Sequence, residues 1–420
     1  MNVLLLGGGG RECALVRRFA HSPLLGQLYI APGNAGTAVY GRNISLDITD
    51  GQAVADACRE LKVGLLVVGP EAPLVAGVAD TVRCQCPGTA VFGPDADGAA
   101  LEGSKIFAKE FMTRHGVPTA PFIAVDSSNI AEAEEYLRGL SYPAVIKADG
   151  LCGGKGSVIV DSLADAQATL HDMLGGRFGD ASRRVIIEDY LPGRECSVFV
   201  LTDGKDFAVL PVARDYKRAG DGDTGPNTGG MGAVSPVEYA DSTFMERVAE
   251  RVILPTVQGL QSDGIPYRGV LYLGLMEVGG EPYLLEYNVR MGDPETAVVL
   301  ERTTGDVLRA FYSVARGAAR EVCLGIAENA AVAVVVAAKG YPGAVKTGAP
   351  VTVETQPETG AAVLLGGAVK GADGVARVAS GRVATVVGVD KDIFNARLIA
   401  YRTADTVKFL DASMRRDIAF

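Results

Sequence analysis

Asn2-Val3-Leu4-Leu5-Leu6-Gly7-Gly8-Gly9-Gly10-Arg11-Glu12 is a short apolar run closed by four glycines and two oppositely charged residues. An apolar run of this length without polar alternation reads as a strand covered on both faces, as in a parallel sheet. A helix is expected over about residues 11–20. Glycines between such a strand and helix let backbone N–H groups approach an anionic ligand. The pattern recurs: residues 28–31, 64–68 and 91–92 are further apolar strands, separated by helical stretches. The first hundred residues are therefore expected to form a parallel sheet with helices on both faces.

The glycine turn does not match the dinucleotide fingerprint. Counted from Gly7, its third glycine position is Glu12; counted from Gly8, it is Cys13. The second strand ends at Ala31-Pro32, with no acid for a ribose hydroxyl, so a dehydrogenase is the weakest of the readings. A merely structural turn stays open beside a phosphate or sugar ligand.

The 420 residues exceed one ordinary domain and fit two to four. Hydrophobic residues make up 48% and charged residues 21%, a balance that fits a globular enzyme or binding protein and excludes disorder. A net charge of −10 argues against a nucleic-acid-binding protein. No apolar run approaches the ~20 residues that span a bilayer, and residues 1–6 lack a cationic flank for a signal peptide. The seven cysteines are odd in number and scattered, which fits a reducing cytoplasm and neither a disulfide framework nor a zinc site.

Beyond the first sheet, a helix is expected over residues 104–115, then a compact stretch of strands at 144–147, 157–160 and 184–188 with a helix at 163–173. Residues 215–232 read as a long polar, Gly-rich loop without secondary structure, which marks a functional loop or a linker. Two strands follow, 267–277 and 283–288, joined at Gly279-Gly280. From about residue 330 the pattern turns mostly β, at 331–338, 361–365 and 383–389.

Three constellations carry chemistry. Gly153-Gly154-Lys155-Gly156 is not a Walker A loop, because Asp149 and Gly156 stand where Gly and Ser or Thr are needed. As a Gly-rich hairpin it still suits a lid over phosphates, and Lys147 on the preceding strand would be costly to bury without an anion. Alternation places Glu286, Asn288 and Arg290 on one face of a strand. A carboxylate and an amide carbonyl are hard oxygen ligands suited to Mg²⁺ or Mn²⁺, and an Arg beside them suits developing phosphoryl charge. A solvated polar strand face would give the same pattern; the apolar flanks and Met291-Gly292-Asp293-Pro294-Glu295 favour a site. The run Lys217–Gly232 is denser in Asn, Thr, Pro and Gly than a linker needs, which favours a substrate loop. The three histidines, His21, His115 and His171, receive no role.

Together these segments resemble the phosphoribosylamine–glycine ligase family of ATP-grasp enzymes. The matching runs are residues 9–12 (GGRE), 31–37 (APGNAGT), 68–75 (VGPEAPLV), 101–105 (LEGSK), 146–151 (IKADGL), 220–232 (GDGDTGPNTGGMG) and 292–296 (GDPET). The resemblance implies an α/β and α+β multidomain chain. Its parts would be a Rossmann-like domain over 1–103, an ATP-grasp domain over 104–328 with a mobile lid at about 120–190, and a C-terminal β-rich domain over 329–420. It implies an ATP-dependent C–N ligase, a cytoplasmic monomer or homodimer that acts on ATP, glycine and 5-phosphoribosylamine with Mg²⁺ or Mn²⁺.

Roles follow from the same resemblance. Lys105 and Lys147 would contact ATP phosphates beneath the lid residues Gly153, Gly154, Lys155 and Gly156. Glu188 and the Tyr190-Leu191 backbone would hold adenine, and Glu195 the ribose. Glu286 and Asn288 would bind the metal. Arg290, with Lys217, Arg218 and Asp293, would serve the chemistry, and Asp215 and Pro294 would surround the carboxylate substrate. Gly9, Gly10, Glu12, Asn34 and Glu71 would hold the ribosylamine phosphate. The chain departs from the family at Cys13 and Tyr216, where His is usual, at Leu365-Gly366-Gly367-Ala368, where His-Ala-Gly-Thr is expected, and at Ala419, where Gly is usual. These departures keep two alternatives in view: a ligase for another carboxylate and amine, and an inactive nucleotide-binding regulator.

Overall fold

The computed structural model describes residues 1–420. The opening run is a strand, β1 (Asn2–Gly7), followed by helix α1 (Gly10–Phe19). With β2 (Leu28–Pro32), β3 (Arg42–Asn43), β4 (Val63–Val68) and β5 (Ala90–Phe92) it forms a parallel sheet of order β3-β2-β1-β4-β5. Leu4 and Leu6 enter one hydrophobic core and Val3 and Leu5 another, so β1 is covered on both faces, as its unbroken apolar character requires. The Rossmann-like expectation holds.

A separate four-stranded antiparallel sheet has the order Phe122–Val125, Val185–Asp189, Ala144–Ala148, Ser157–Val160. Helices Ile130–Gly139 and Leu163–Asp172 cover one face through Ala133, Leu137, Ala166 and Leu170. Alternation turns Lys147 to the other face, since its neighbours Ile146 and Ala148 belong to that small core. A second four-stranded sheet joins Phe207–Val209, Arg194–Thr202, Gly269–Val278 and Glu281–Asn288. Its last two strands meet at Gly279 and Gly280, at φ +59° and +86°, the left-handed geometry of a tight hairpin.

The third large sheet changes one expectation. Residues 215–232 are not a loop without secondary structure. Arg214–Asp215 and Gly232–Ser235 are strands, and between them Arg218–Gly220 and Thr224–Asn227 pair as a hairpin. The two outer strands extend the sheet of Ala330–Ala338, Arg382–Asp390 and Ala361–Leu364. Local polarity hid them: Gly232–Ser235 pairs with Ala331–Val334, about a hundred residues on, and Arg214–Asp215 joins the sheet only by pairing with Gly232–Ser235 in turn. Every residue of Ala330–Ala338 is buried, with helix Ile393–Ala404 packed on the sheet through Ala396, Ala400 and Ala404. No helix is long and apolar enough to cross a membrane.

Candidate active site

A cleft of about 860 Å³ opens between the lid-like sheet and the strand Glu281–Asn288. Its far wall is the hairpin of residues 218–227, and Arg11, Pro70 and Glu71, which follow β1 and β4 of the parallel sheet, close one end with Arg382. The turn between Ala144–Ala148 and Ser157–Val160 arches over it. Gly153 and Gly154 lie at φ +57° and +78°, where a side chain would strain the backbone. A Cβ on Gly154 would stand 3.3 Å from the Thr228 carbonyl oxygen. Lys155 turns away from the cleft, and its Nζ donates to the Pro342 carbonyl at 3.0 Å.

Beneath the turn lies a buried cluster. Lys147 Nζ stands 2.9 Å from Glu188 Oε2, and Lys109 Nζ 3.3 Å from Glu188 Oε1. Lys109 also donates to Thr119 Oγ1 at 2.6 Å. Burial pushes the Lys109 ammonium down to about 8, with Lys147 adding to the shift and Glu188 opposing it. For Lys147 burial also works downward, but Glu188 and Glu286 outweigh it and hold the charge. Lys105 Nζ donates to the carbonyls of Ala148 and Gly150, at 2.8 and 3.0 Å, tying the start of its helix to the lid. Tyr190, Leu191 and Glu195 line the same cleft, and Glu195 Oε2 pairs with Lys217 Nζ at 2.6 Å.

On the facing wall Glu286 lines the cleft, two residues along its strand from Asn288. Arg290 Nη2 donates to Asn288 Oδ1 at 3.0 Å and to Glu102 Oε1 at 2.7 Å, and Nε donates to Glu71 Oε2 at 3.3 Å. Arg290, Asn288 and Glu286 therefore share one face, as alternation requires. No group of three or more His, Cys, Asp or Glu in the molecule is gathered so that it could hold a metal ion. Glu286 and Asn288 together offer a carboxylate and an amide oxygen, a donor set that fits a hard divalent cation whose other ligands are phosphate oxygens and water.

At the closed end, Lys217 Nζ pairs with Asp215 Oδ1 at 2.8 Å, and Arg218 Nη1 donates to the Gly225 carbonyl within the hairpin. Asp293 accepts from the Arg11 backbone N–H at 3.2 Å, and its Oδ1 lies 3.3 Å from Arg382 Nη1. Burial works to raise the Asp293 carboxyl, but Arg382 and Arg11 outweigh it and hold it below its usual range. Gly9 and Gly10 sit directly against Asp293, since Cβ atoms there would come 2.9 and 3.3 Å from its oxygens.

Neighbouring candidates serve the scaffold in this structure. Glu12 is fully buried, accepting from Gly9 N–H and Arg11 Nε, both at 2.6 Å, so it caps α1. Asn34 Nδ2 donates to the Gly9 carbonyl at 3.1 Å, and its Oδ1 accepts from Thr37 N–H and the Cys13 thiol. Glu12, Asn34, Gly9, Gly10, Lys155 and Pro294 do not line the cleft, whereas the other candidates do.

Sequence reading missed Lys109, Glu102, Arg11, Tyr272, Glu295 and Arg382, all of which line the cleft. Lys109 had a signal: it lies four residues after Lys105, one helical turn along the same face. Arg382 had none, because its partners Asp293 and Gly229 are far away in sequence. Tyr272 donates to Glu295 Oε1 at 2.7 Å, a contact between a strand and a helix start that spacing cannot show.

Comparison with known proteins matches this architecture along the chain. The models for the N domain, the ATP-grasp (A) domain and the C domain of phosphoribosylglycinamide synthetase match residues 1–102, 103–296 and 331–420. A phosphoribosylamine–glycine ligase of Agrobacterium fabrum is 43% identical, covering 100% of this chain and 98% of the relative. The Escherichia coli K12 protein of the same name is 41% identical over the same shares. The crystal structure of phosphoribosylamine–glycine ligase from Thermotoga maritima superposes with a TM-score of 0.87 at 35% identity, covering 99% of this chain and 100% of that one. The biotin carboxylase domain of Hydrogenobacter thermophilus 2-oxoglutarate carboxylase shares the fold, with a TM-score of 0.73 at 16% identity over 98% and 91% of the two chains. The chain, matched along nearly its whole length, belongs to the phosphoribosylglycinamide synthetase family.

Proposed function

We propose that this protein joins glycine to 5-phosphoribosylamine at the expense of ATP, giving glycinamide ribonucleotide, ADP and phosphate. The observation that carries the reading is the single cleft in which Lys147, the glycine turn, Glu286 with Asn288, and the 218–227 hairpin meet. The chemistry is two substitutions. A glycine carboxylate oxygen attacks the γ-phosphorus and ADP leaves; the amine then attacks the acyl carbon of glycyl phosphate and phosphate leaves. Phosphorylation turns a carboxylate oxygen, a poor leaving group, into a good one.

The residues divide this work by position. Lys105 and Lys147 neutralise phosphate charge under the lid glycines. Glu188, Tyr190, Leu191 and Glu195 receive the nucleoside. Glu286 and Asn288 would hold a divalent cation, Mg²⁺ or Mn²⁺, which when bound would supply Lewis-acid neutralisation of the phosphate oxygens. Arg290, held by Glu71 and Glu102, presents a fixed cation to the transferring group. Asp215, Lys217, Arg218 and Asp293 frame the carboxylate, with Pro294 behind Asp293, and Gly9 and Gly10, packed against Asp293 just outside the cleft, border the place of the ribosylamine phosphate. Residues 1–103, 104–328 and 329–420 are the corresponding domains, in a cytoplasmic enzyme that acts on small molecules.

A second reading, another carboxylate or amine, has a specific basis in Cys13, buried against Asn34 beside the glycine turn. The test is ADP release with ATP and Mg²⁺ across a panel of amino acids, with and without fresh phosphoribosylamine. Release that requires glycine and phosphoribosylamine together, with the amide product seen by mass, supports the proposal. Release that answers only to another pair transfers it to the second reading. Silence while ATP still binds points to a regulator.

A further inference from the structure

The segment Arg415–Ala419 lies across the hairpin of residues 218–227 and binds it repeatedly. Arg415 Nη1 donates to the Arg218 carbonyl at 3.1 Å and pairs with Asp223 Oδ1 at 2.8 Å. The Gly222 N–H donates to Asp417 Oδ2 at 2.8 Å, and the Arg416 N–H to Asp221 Oδ1 at 2.7 Å. The Ala419 N–H donates to the Tyr216 hydroxyl at 3.0 Å, at the foot of the same hairpin.

Arg415 is the centre of this arrangement. Its side chain is 1% exposed, and Asp417 receives its Nε and Nη2 at 2.8 and 2.7 Å. The guanidinium also lies over the Tyr216 ring, 5.2 Å from its centroid. Tyr401, on helix Ile393–Ala404, donates to the Arg415 carbonyl at 2.9 Å and accepts from the Ile418 N–H at 3.0 Å, which anchors the segment to the sheet-covering helix. A guanidinium this buried is tolerated only when its donors are engaged, and here its engaged donors define the hairpin's position. Arg415 does not line the cleft, whereas Arg218, Asp223, Asn227 and Thr228 do.

We infer that Arg415, locked by Asp417, is a positioning residue that sets the hairpin against the carboxylate substrate. The substrate part of this inference rests on the reading of that hairpin as the glycine-facing wall; the mechanical part does not.

The experiment measures steady-state kinetics and amide hydrogen exchange of the full chain, wild type against Arg415→Met, Arg415→Lys and Asp223→Asn. In Arg415→Met, amides of residues 218–227 exchange at least about tenfold faster while those of Ala330–Ala338 keep wild-type protection. KM for glycine rises about tenfold or more, KM for ATP changes less than about twofold, and Arg415→Lys recovers part of the difference. Unchanged exchange in the hairpin overturns the proposal, as does a loosened hairpin with glycine KM unaltered. If Arg415→Met loses protection throughout the molecule, Asp223→Asn decides, because the Asp223 side chain is mostly exposed and its loss spares the fold. Faster exchange confined to the hairpin in that variant supports the proposal, and its absence overturns it. A wild-type protein without glycine-dependent ADP release removes the substrate reading, while the exchange comparison still decides whether Arg415 holds the hairpin.

Discussion

At the scale of single residues, charge placement decides what the cleft can do. Glu286 faces the cleft with no ion-pair partner of its own, which leaves its carboxylate available to a cation. Glu286→Ala is expected to lower kcat by roughly 10²–10³-fold, the range for removing one charge-stabilising group, while ATP binding measured by calorimetry is partly kept. Complete loss of ATP binding would move Glu286 from metal ligand to scaffold. Lys109 makes a second prediction, from its shifted titration. Burial lowers its folded value to about 8, whereas the unfolded chain keeps the ordinary 10.5. Between these values the unfolded state binds more protons, so this group makes stability rise with pH across that window. The charged form inside is the unfavourable one below about pH 8. The urea midpoint of wild type should therefore rise, relative to Lys109→Met, between pH 8 and 10. A flat difference would show that Glu188 keeps Lys109 fully protonated.

At the scale of elements, the lid-like sheet has its own small core on one face and presents Lys147 and Glu188 to the cleft on the other. Its glycine turn meets the rest of the molecule through the Lys155–Pro342 bond and the close approach of Gly154 to Thr228. Few contacts of this kind make a segment easy to open. Limited proteolysis should cut near residues 151–156, and saturating ATP with Mg²⁺ should slow that cut by about fivefold or more. Equal rates with and without nucleotide would mean that the turn does not close on phosphates. Secondary structure was legible for these elements where hydrophobic pattern and local turns coincide. Strands β1, β2, β4 and β5 and the hairpin at Gly279-Gly280 were read directly. The strands Arg214–Asp215 and Gly232–Ser235 were not, because runs this short become strands only when an edge pairs with them, and the distant Ala331–Val334 must first pair with Gly232–Ser235, which then pairs with Arg214–Asp215.

At the scale of the whole molecule, the site belongs to no single sheet. Arg382, on a strand of the third sheet, donates to the Asp293 carbonyl at 2.5 Å and the Gly229 carbonyl at 2.6 Å. It thereby joins the sheet that carries it to the strand-end loop and the hairpin wall. Arg382→Ala removes these bonds and leaves the Asp293 carboxylate with Arg11 and Arg290 as its remaining cationic neighbours. The expected cost is about 1–3 kcal/mol, read as a lowered thermal midpoint, together with a raised KM for glycine. Unaltered stability would show that the three segments are held together without Arg382. Ligands that bridge the parts should raise the thermal midpoint, by the equivalent of about 2.7 kcal/mol at a hundredfold excess over Kd.

The sequence by itself determined the parallel sheet, the glycine turns, the shared face of Glu286, Asn288 and Arg290, and the placing of the chain among ATP-grasp ligases. Each of these depends on neighbours within a few residues or on runs of residues in order, and local chemistry is legible there. Only the tertiary structure decided that Glu188 joins two lysines, that Glu12 caps a helix, that Arg382 and Arg415 hold the cleft's far wall, and that Arg214–Asp215 and Gly232–Ser235 belong to a sheet completed about a hundred residues later. These are long-range pairings of buried charge and backbone. Their energies come from partners brought into contact by the fold, which no local pattern records.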